Sequence, residues 1–235
     1  MKAVIIAAGK GERLKPITDK IAKPMVEVAG KPTLEHIINL LKKYGIRDFV
    51  IDLSYLSETV TSYFKDGSDF GIKIKYTIEK APSGTAGAIL GAQKYIKGDF
   101  IVTAGDVLRK LNVDDFIKKH KQGGTIATIG LFKDYQEAPR SRVMVDKGGF
   151  VVNFMEHPLR RTRKHHFVWS NDSFYVFKPE IYKYIYKKRF CDFGKDVFPK
   201  MINKGVKINT FIGNKYIIDI GTFKGLEKAR KTFIP

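Results

Sequence analysis

The sequence predicts an α/β fold in three layers, with a mostly parallel sheet and a small antiparallel appendage. In the first half, short apolar runs alternate with segments of helical periodicity, which is the pattern of right-handed βαβ units. From Thr125 onward, strand-like segments are joined by turns. The 235 residues are 43% hydrophobic and 29% charged, which is typical of a folded chain and excludes wholesale disorder. We therefore predict a single domain over residues 1–235.

The first half should contain the parallel strands and their helices. Residues 2–7 form a short apolar run that ends in glycines, as a buried strand entering a loop does. Apolar side chains recur at helical spacing from Leu34 to Leu41, before a stop at Gly45, so this segment should be an amphipathic helix with His36 at its surface. The other predicted elements are strands 48–53, 72–78 and 100–103 and helices 57–65, capped by Ser57, and 87–95.

The second half should add antiparallel strands to this sheet. Gly148 and Gly149 predict a hairpin between strands 143–145 and 150–154. Residues 159–166, LRRTRKHH, are the densest basic run and show no apolar periodicity, so we predict a mobile loop. The remaining predicted elements are strands 174–177, 207–211 and 216–218 and helices 179–186, 194–203 and one after Thr222.

Charge and cysteine content restrict the partners and the compartment. The formal net charge of +19 predicts anionic partners, but nucleic acid, anionic lipid and phosphorylated metabolites all satisfy it. Cys191 is the only cysteine, which excludes an intramolecular disulfide and a zinc site built from Cys pairs. We see no signal-peptide pattern and no apolar run near the ~20 residues of a membrane helix. We predict a cytoplasmic protein without a membrane partner.

A glycine-rich loop directly after the first predicted strand is the strongest local signal. Ala8, Gly9 and Gly11 let backbone N–H groups approach a phosphate, and Arg13 adds a cation with fork geometry. Leu14 breaks the dinucleotide GxGxxG pattern, and the loop lacks the Lys-Ser or Lys-Thr pair of a P-loop. By itself, the segment is equally typical of a glycine turn with a surface arginine.

Four further motifs follow this loop in a fixed order, and together they resemble those of the sugar-1-phosphate nucleotidyltransferases. They are Lys23-Pro24-Met25, Gly84-Thr85-Ala86-Gly87, Ala104-Gly105-Asp106 and Asp219-Ile220-Gly221-Thr222. The resemblance, to mannose-1-phosphate guanylyltransferase- and glucose-1-phosphate thymidylyltransferase-like members, covers nearly the whole chain. It implies a Rossmann-like fold with a nucleotide-binding half, 1–125, and a sugar-phosphate-binding half, 126–235. We expect no left-handed β-helix domain within these residues.

The resemblance implies transfer of a nucleoside monophosphate from a nucleoside triphosphate to a sugar 1-phosphate, with release of pyrophosphate. The attacking phosphate oxygen is already ionised at neutral pH, so the chemistry needs no Ser–His or Cys–His nucleophile. By resemblance, Arg13 holds the departing phosphates and Lys23 contacts the reacting ones. Asp106 and Asp219 coordinate Mg²⁺, the predicted cofactor, which prefers hard oxygen ligands. Ala8, Gly9, Gly11, Gly84 and Thr85 would contact the nucleotide.

Glu79 occupies the position that faces the base edge in the family. An ionised carboxylate only accepts hydrogen bonds, which suits the N–H donors of guanine, whereas an amide suits uracil or thymine. The residue therefore favours GTP. UTP and dTTP stay open alternatives, as does a solvent-exposed Glu79 without a role.

The predicted sugar side departs from the family pattern. Glu156 and His157 stand where Glu-Lys is usual, and a histidine would hold a phosphate more weakly and in a pH-dependent way. Arg140-Ser141 replaces Tyr-Gly, and Asn171-Asp172-Ser173 replaces Asn-Ala-Gly. We expect Ser141, Glu156, His157 and Asn171 to bind the sugar 1-phosphate; by resemblance, Glu156 contacts the sugar hydroxyls and His157 stands at the phosphate. The departures predict a modified, smaller or differently phosphorylated sugar.

Two other function classes compete with an enzyme. A non-catalytic homologue could bind a nucleotide or nucleotide sugar and regulate a partner, but it would be free to lose the charged motif residues that are all present here. A nucleic-acid-binding surface would explain the charge, yet no recognition motif accompanies it. We expect NTP and sugar 1-phosphate as partners, no nucleic acid, and a possible homodimer.

Overall fold

The computed structural model describes residues 1–133, 141–156, 169–187, 190–213 and 216–235. The strands are β1 Lys2–Ile6, β2 Glu27–Val28, β3 Lys31–Pro32, β4 Asp48–Leu53, β5 Lys73–Ile78, β6 Phe100–Ala104, β7 Val107–Lys110, β8 Ala127–Lys133, β9 Arg142–Val145, β10 Val151–Met155, β11 Trp169–Phe177, β12 Ile208–Ile212 and β13 Tyr216–Asp219. The helices are α1 Thr33–Lys43, α2 Ser57–Phe64, α3 Gly84–Gly87, α4 Val113–Gly123, α5 Phe198–Asn203 and α6 Phe223–Thr232.

Within the described residues, nine strands form one central sheet. Strands β6, β1, β4 and β5 lie side by side and parallel, and β8 pairs in parallel with β12. The long strand β11 joins these two groups because it pairs antiparallel with both β6 and β8. The hairpin β9–β10 extends the sheet beside Trp169. The predicted fold class, a mainly parallel sheet with an antiparallel addition, is confirmed.

The side-chain alternation of the parallel strands creates a hydrophobic core on each face of the sheet. Val4 lies in register with Val50 and Val102, and all three are buried against α3 and α5. Ile5 and Ile51 point to the opposite face, where α1, α2 and α4 cover them. Each such fully buried side chain contributes about 1.5–3 kcal/mol to folding. The two covered faces account for the three layers.

A smaller antiparallel pair, β7 with β13, lies outside the central sheet. Its apolar residues Leu108 and Ile218 pack with Leu14, Val26 and Leu226 in a third hydrophobic cluster, which holds α6 in place. Thr222 caps α6 by accepting a hydrogen bond from the N–H of Gly225. This pair matters for the site because Asp219 ends β13 and Asp106 immediately precedes β7.

The structure corrects three predictions from the first half. The segment 87–95 is not one helix: α3 ends at Gly87, and Gly91 packs so tightly on Thr77 that a Cβ there would lie 3.0 Å from its Cγ2. Ser57 is not the cap of α2, which instead begins after a left-handed Leu56 without a side-chain cap. His36 is buried, with Nε2 2.7 Å from the carbonyl oxygen of Val28, so its predicted surface position is wrong.

Strands β2, β3, β7 and β8 and helix α4 are not among the elements predicted with bounds, whereas the hairpin β9–β10 is. The basic run 159–166 lies outside the described residues. In the parts of the chain that the structure describes, no helix combines the length and the apolar character needed to cross a bilayer.

Asp52 is a buried carboxyl at the end of β4 and is 1% exposed. Its Oδ1 accepts a hydrogen bond from Thr77 Oγ1 at 2.7 Å, while Oδ2 meets no donor among the described residues. Burial raises the pKa of Asp52 to about 8; the bond from Thr77 opposes this effect and the nearby charge of Glu79 adds to it. At neutral pH the group is therefore protonated in the folded protein and ionised in the unfolded chain.

This protonation predicts a stability loss at high pH that Asp52→Asn removes. The folded-state pKa is raised, so the stabilising proton is fully present below the unfolded pKa near 4 and is lost as the pH rises through about 8. The free energy of unfolding of Asp52→Asn relative to wild type should increase by about 2–4 kcal/mol between pH 5 and pH 9. Urea unfolding at several pH values measures this difference, with exposed Asp114→Asn as the control. Parallel pH curves for Asp52→Asn and wild type would contradict the assignment.

Candidate active site

The glycine loop after β1 is anchored at both ends and open in the middle. The N–H of Ala7 donates to the carbonyl oxygen of Asp52 at 2.8 Å, and the Thr18 hydroxyl donates to the carbonyl oxygen of Gly11 at 2.8 Å. Gly11 has a φ of 71°, and a Cβ there would lie 3.0 Å from Cβ of Lys23. Gly9 has nothing within 4 Å of its Cβ position, and it follows half-buried Ala8. This opening can admit a phosphate group to the loop.

Three of the four predicted catalytic residues come together around the α-carbon of Gly221, and the fourth, Asp106, is joined to them through Lys23. A Cβ on Gly221 would lie 2.8 Å from Asp219 Oδ1, 3.1 Å from Arg13 Nη2 and 3.2 Å from Lys23 Nζ. Lys23 Nζ in turn forms an ion pair with Asp106 Oδ2. Side chains separated by up to 206 positions along the chain thus share one small volume.

Backbone pairing brings the two carboxylates of this cluster together. Asp219 lies opposite Val107 in the antiparallel pair β7–β13, and the N–H of Ile220 donates to the carbonyl oxygen of Asp106 at 3.1 Å. The N–H of Gly221 then donates to Asp219 Oδ1 at 2.7 Å, which orients that carboxylate. The pairing of β7 with β13 therefore brings Asp106 and Asp219 close to each other.

The acids and the bases of the cluster perturb one another. Burial by itself would lower the pKa of Lys23, but its attraction to Asp106 and Asp219 raises it overall, so Lys23 is charged. Burial chiefly, and then repulsion by Asp106, raises the pKa of Asp219 against the opposing effects of Gly221 N–H, Lys23 and Arg13. Two carboxylates that repel each other in a half-enclosed position favour binding of a further cation.

The oxygen-only pair suits Mg²⁺, which is usually bound through one or two carboxylates together with substrate phosphates. Among the described residues, no group of three or more His, Cys, Asp or Glu side chains lies close enough to hold a metal ion. Asp106 and Asp219 thus fit a metal that is completed by substrate and water, and do not fit an ion held by the protein alone.

The predicted base-binding residues form a second cluster at the end of β5. Ser83 donates from its N–H to Glu79 Oε2 at 3.3 Å and from its hydroxyl to Glu79 Oε1. Glu79 is half-buried and is not a fully exposed side chain; its role at the base stays a prediction. Gly84 has a φ of 82°, and a Cβ there would overlap the carbonyl oxygen of Cys191. Exposed Thr85 is the second residue of α3, next to Gly84.

The predicted sugar-side residues Ser141 and Asn171 are also neighbours. The N–H of Asn171 donates to Ser141 Oγ at 3.1 Å, and its Nδ2 donates to the Tyr175 hydroxyl at 2.7 Å. Burial raises the pKa of Tyr175, and the charge of Glu156 raises it further, which places Glu156 near the same ring. His157 lies outside the described residues, so its replacement of lysine stays a prediction.

The two departures next to Asn171 have structural explanations. Ser173 has a φ of 58°, which is the left-handed conformation that glycine adopts most easily. The family pattern has a glycine at this position, which fits this conformation. Asp172 is buried against Gly130, and its carbonyl oxygen accepts a hydrogen bond from Arg109 Nη2 at 2.9 Å. Asp172 therefore does not line an open sugar pocket directly.

Three residues that contact the predicted site residues, Gly221, Ser83 and Asp192, were not themselves predicted as site residues. Gly221 carries the convergence of charges, and its place two residues after Asp219 was a usable signal. Ser83 holds Glu79, and Asp192 accepts a hydrogen bond from Thr85 Oγ1 at 2.9 Å. Ser83 is four positions from Glu79, so its contact is a local one, whereas Asp192 has no local signal because it is 107 positions from Thr85.

Comparison with known proteins shows relatives along the whole chain. Residues 2–234 match the family model described as nucleotidyl transferase. A UTP–glucose-1-phosphate uridylyltransferase of Synechocystis sp. is 34% identical over 94% of this chain and 60% of its own length. A D-glycero-alpha-D-manno-heptose 1-phosphate guanylyltransferase of Campylobacter jejuni is 33% identical over 94% of this chain and 95% of its own length. The chain thus spans less than two thirds of the first relative and nearly all of the second.

Solved structures share the fold. HddC from Yersinia pseudotuberculosis, crystallised with GMP-PN, superposes with a TM-score of 0.79 at 27% identity, over 98% of both chains. A Bacillus anthracis structure superposes with a TM-score of 0.88 over 100% of this chain and 98% of its own, at 19% identity, which supports the fold alone. On the match of its sequence to the family model and to these relatives, the chain belongs to the nucleotidyl transferase family.

Proposed function

We propose that this protein transfers a nucleoside monophosphate from a nucleoside triphosphate to a sugar 1-phosphate, giving a nucleoside diphosphate sugar and pyrophosphate. The convergence of Arg13, Lys23 and Asp219 around Gly221, with Asp106 paired to Lys23, carries the proposal. Curated relatives named as sugar-1-phosphate uridylyl- and guanylyltransferases support it. A non-catalytic relative would not need to keep all four charged groups in contact.

The reaction requires positioning and charge neutralisation more than covalent chemistry. An ionised oxygen of the sugar phosphate attacks the α-phosphorus of the nucleotide, and the bond from that phosphorus to the bridging oxygen of pyrophosphate breaks. Lys23 would hold the reacting phosphates, and exposed Arg13 would hold the departing ones. When Mg²⁺ is bound, Asp106 and Asp219 would hold it, and its charge would offset that of the phosphates.

For the base, we propose guanine. Glu79 presents carboxylate oxygens, which accept the N1–H and N2–H donors of guanine, and Ser83 holds this carboxylate beside the loop that begins with Gly84. Two of the relatives support this choice: the Campylobacter guanylyltransferase, and the Yersinia protein crystallised with a guanine nucleotide analogue. The Synechocystis relative is named as a uridylyltransferase, and it supports UTP as the alternative nucleotide.

For the sugar, we propose a substrate other than unmodified glucose or mannose 1-phosphate. The supporting observations are the serine at position 141 beside Asn171 and the histidine at position 157. The Campylobacter relative acts on a heptose phosphate, so a heptose 1-phosphate belongs in any substrate panel together with glucose, mannose and N-acetylglucosamine 1-phosphates.

A pyrophosphate-release screen of four nucleoside triphosphates against this sugar panel tests the activity. We expect turnover that requires Mg²⁺ and a loss of at least about 100-fold in kcat for Asp106→Asn, since one of the two acidic ligands loses its charge. Asp114→Asn, at an exposed position on α4, changes the charge equally and should keep wild-type turnover. A protein that releases no pyrophosphate with any pair would contradict the proposal.

Glu79→Gln should change the base preference. A glutamine amide both donates and accepts hydrogen bonds, so the ratio of kcat/KM for GTP over UTP should fall by about tenfold, the equivalent of one hydrogen bond to a charged group. Initial rates with both nucleotides at a fixed sugar 1-phosphate give this ratio, and Glu58→Gln on the surface of α2 is the matched control. An unchanged ratio would mean that Glu79 does not read the base.

A further inference from the structure

The turn 191–194 in the second half of the chain is tied to the base-binding loop 83–87 of the first half. The backbone of Cys191 is hydrogen-bonded to this loop at both its N–H and its carbonyl oxygen. The N–H groups of Ala86 and Gly87 donate to the Cys191 carbonyl oxygen at 3.0 Å each, and the Cys191 N–H donates to the Ser83 carbonyl oxygen at 2.8 Å. The loop therefore does not hold its conformation by local contacts alone.

The side chain of Asp192 continues this connection. Its Oδ2 accepts a hydrogen bond from the Thr85 hydroxyl at 2.9 Å, and the same hydroxyl oxygen accepts one from the N–H of Phe193 at 3.0 Å. The direction of the Thr85 hydroxyl is thus determined from both sides, although Thr85 is exposed. A residue at the nucleotide site is oriented by a carboxylate 107 positions away.

The other oxygen of the same carboxylate faces the sugar side. Asp192 Oδ1 accepts a hydrogen bond from the N–H of Gly194 at 2.9 Å. The α-carbon of Gly194 lies directly against Glu156, because a Cβ on Gly194 would overlap Glu156 Oε2 and would lie 2.8 Å from the ring of Phe154. One side chain consequently bridges a residue of the nucleotide loop and the turn that supports Glu156.

We propose that Asp192 is a positioning residue that sets Thr85 for the nucleotide and, through Gly194, Glu156 for the sugar phosphate. It touches neither substrate and acts through these two neighbours. The proposal rests on the proposed function for the identity of the two ligands. It goes beyond that function because it assigns to one carboxylate the alignment of the two substrate sites with each other.

A double-mutant cycle on nucleotide affinity tests the first connection. The nucleotide is whichever of GTP, UTP, dTTP and ATP the wild type binds most tightly in the presence of Mg²⁺. Titration calorimetry measures its Kd for wild type, Thr85→Val, Asp192→Asn and the double variant. Each single substitution should weaken binding by about tenfold, and the double variant should be no weaker than either single one. Additive losses of nucleotide affinity, or no loss in the single variants, would overturn the proposal. Additive losses are what a purely structural role for Asp192 would give.

Gly194→Ala tests the second connection. Its added Cβ displaces the Glu156 carboxylate, so KM for the sugar 1-phosphate should rise about tenfold while Kd for the nucleotide stays within twofold of wild type. Asp192→Asn should raise both quantities. Equal losses at both sites in Gly194→Ala would indicate a collapsed turn and overturn the assignment. Thermal unfolding of every variant, with Asp114→Asn as the control, checks that the fold is retained.

The two proposals fail in different measurements. Absence of turnover in wild type with every substrate pair contradicts the proposed function. Additivity in the nucleotide cycle overturns the role of Asp192 even in a fully active enzyme, and it is measured on binding alone.

Discussion

The site depends on balancing like charges within a small volume. Asp106 and Asp219 repel each other, and the same region must also receive phosphate groups, which repel both acids. Lys23 and Arg13 offset this repulsion only because Gly221 has no side chain between them and Asp219. The antiparallel pair β7–β13 supplies the rigidity, since its backbone hydrogen bonds hold the two acids near each other. The hydrophobic cluster that packs this pair against α6 therefore supports the proposed site as well as the fold.

The rest of the fold brings three separately encoded groups of residues to the same edge of the sheet. The predicted phosphate loop follows β1 and the predicted base-binding loop follows β5. Of the predicted sugar-side residues, Ser141 immediately precedes β9, Glu156 immediately follows β10, and Asn171 lies in β11. Parallel neighbours β1, β4 and β5 end at one edge, so their loops meet there. The turn around Asp192 then connects the base-binding loop to the sugar side. Catalysis between two bound substrates requires this relative alignment, because small displacements of reacting groups are costly.

Much of the fold followed from periodicity. The segments predicted as strands and helices include β4 with its bounds unchanged, and α1 within a few residues of its ends. The failures have identifiable causes. Segment 87–95 has helical periodicity, but its glycines pack against Ser83 and Thr77 instead of continuing α3. His36 was predicted at the surface, but it is buried, and its Nε2 lies 2.7 Å from the carbonyl oxygen of Val28. No local sequence pattern indicates this contact.

The sequence by itself determined which chemistry is available: a glycine loop, two cations and two acids in a particular order, with both acids at strand ends. The sequence also shows a glutamate, Glu79, that suits guanine, and residues on the sugar side that differ from the family pattern. Only the tertiary structure decided that Arg13, Lys23 and Asp219 meet at Gly221, that Asp106 joins them through its ion pair with Lys23, and that Asp192 reaches Thr85. The physical reason is that periodicity and turn chemistry act over a few residues, whereas Lys23 and Asp106, Arg13 and Asp219, and Thr85 and Asp192 are each more than eighty positions apart and meet only after the sheet has formed.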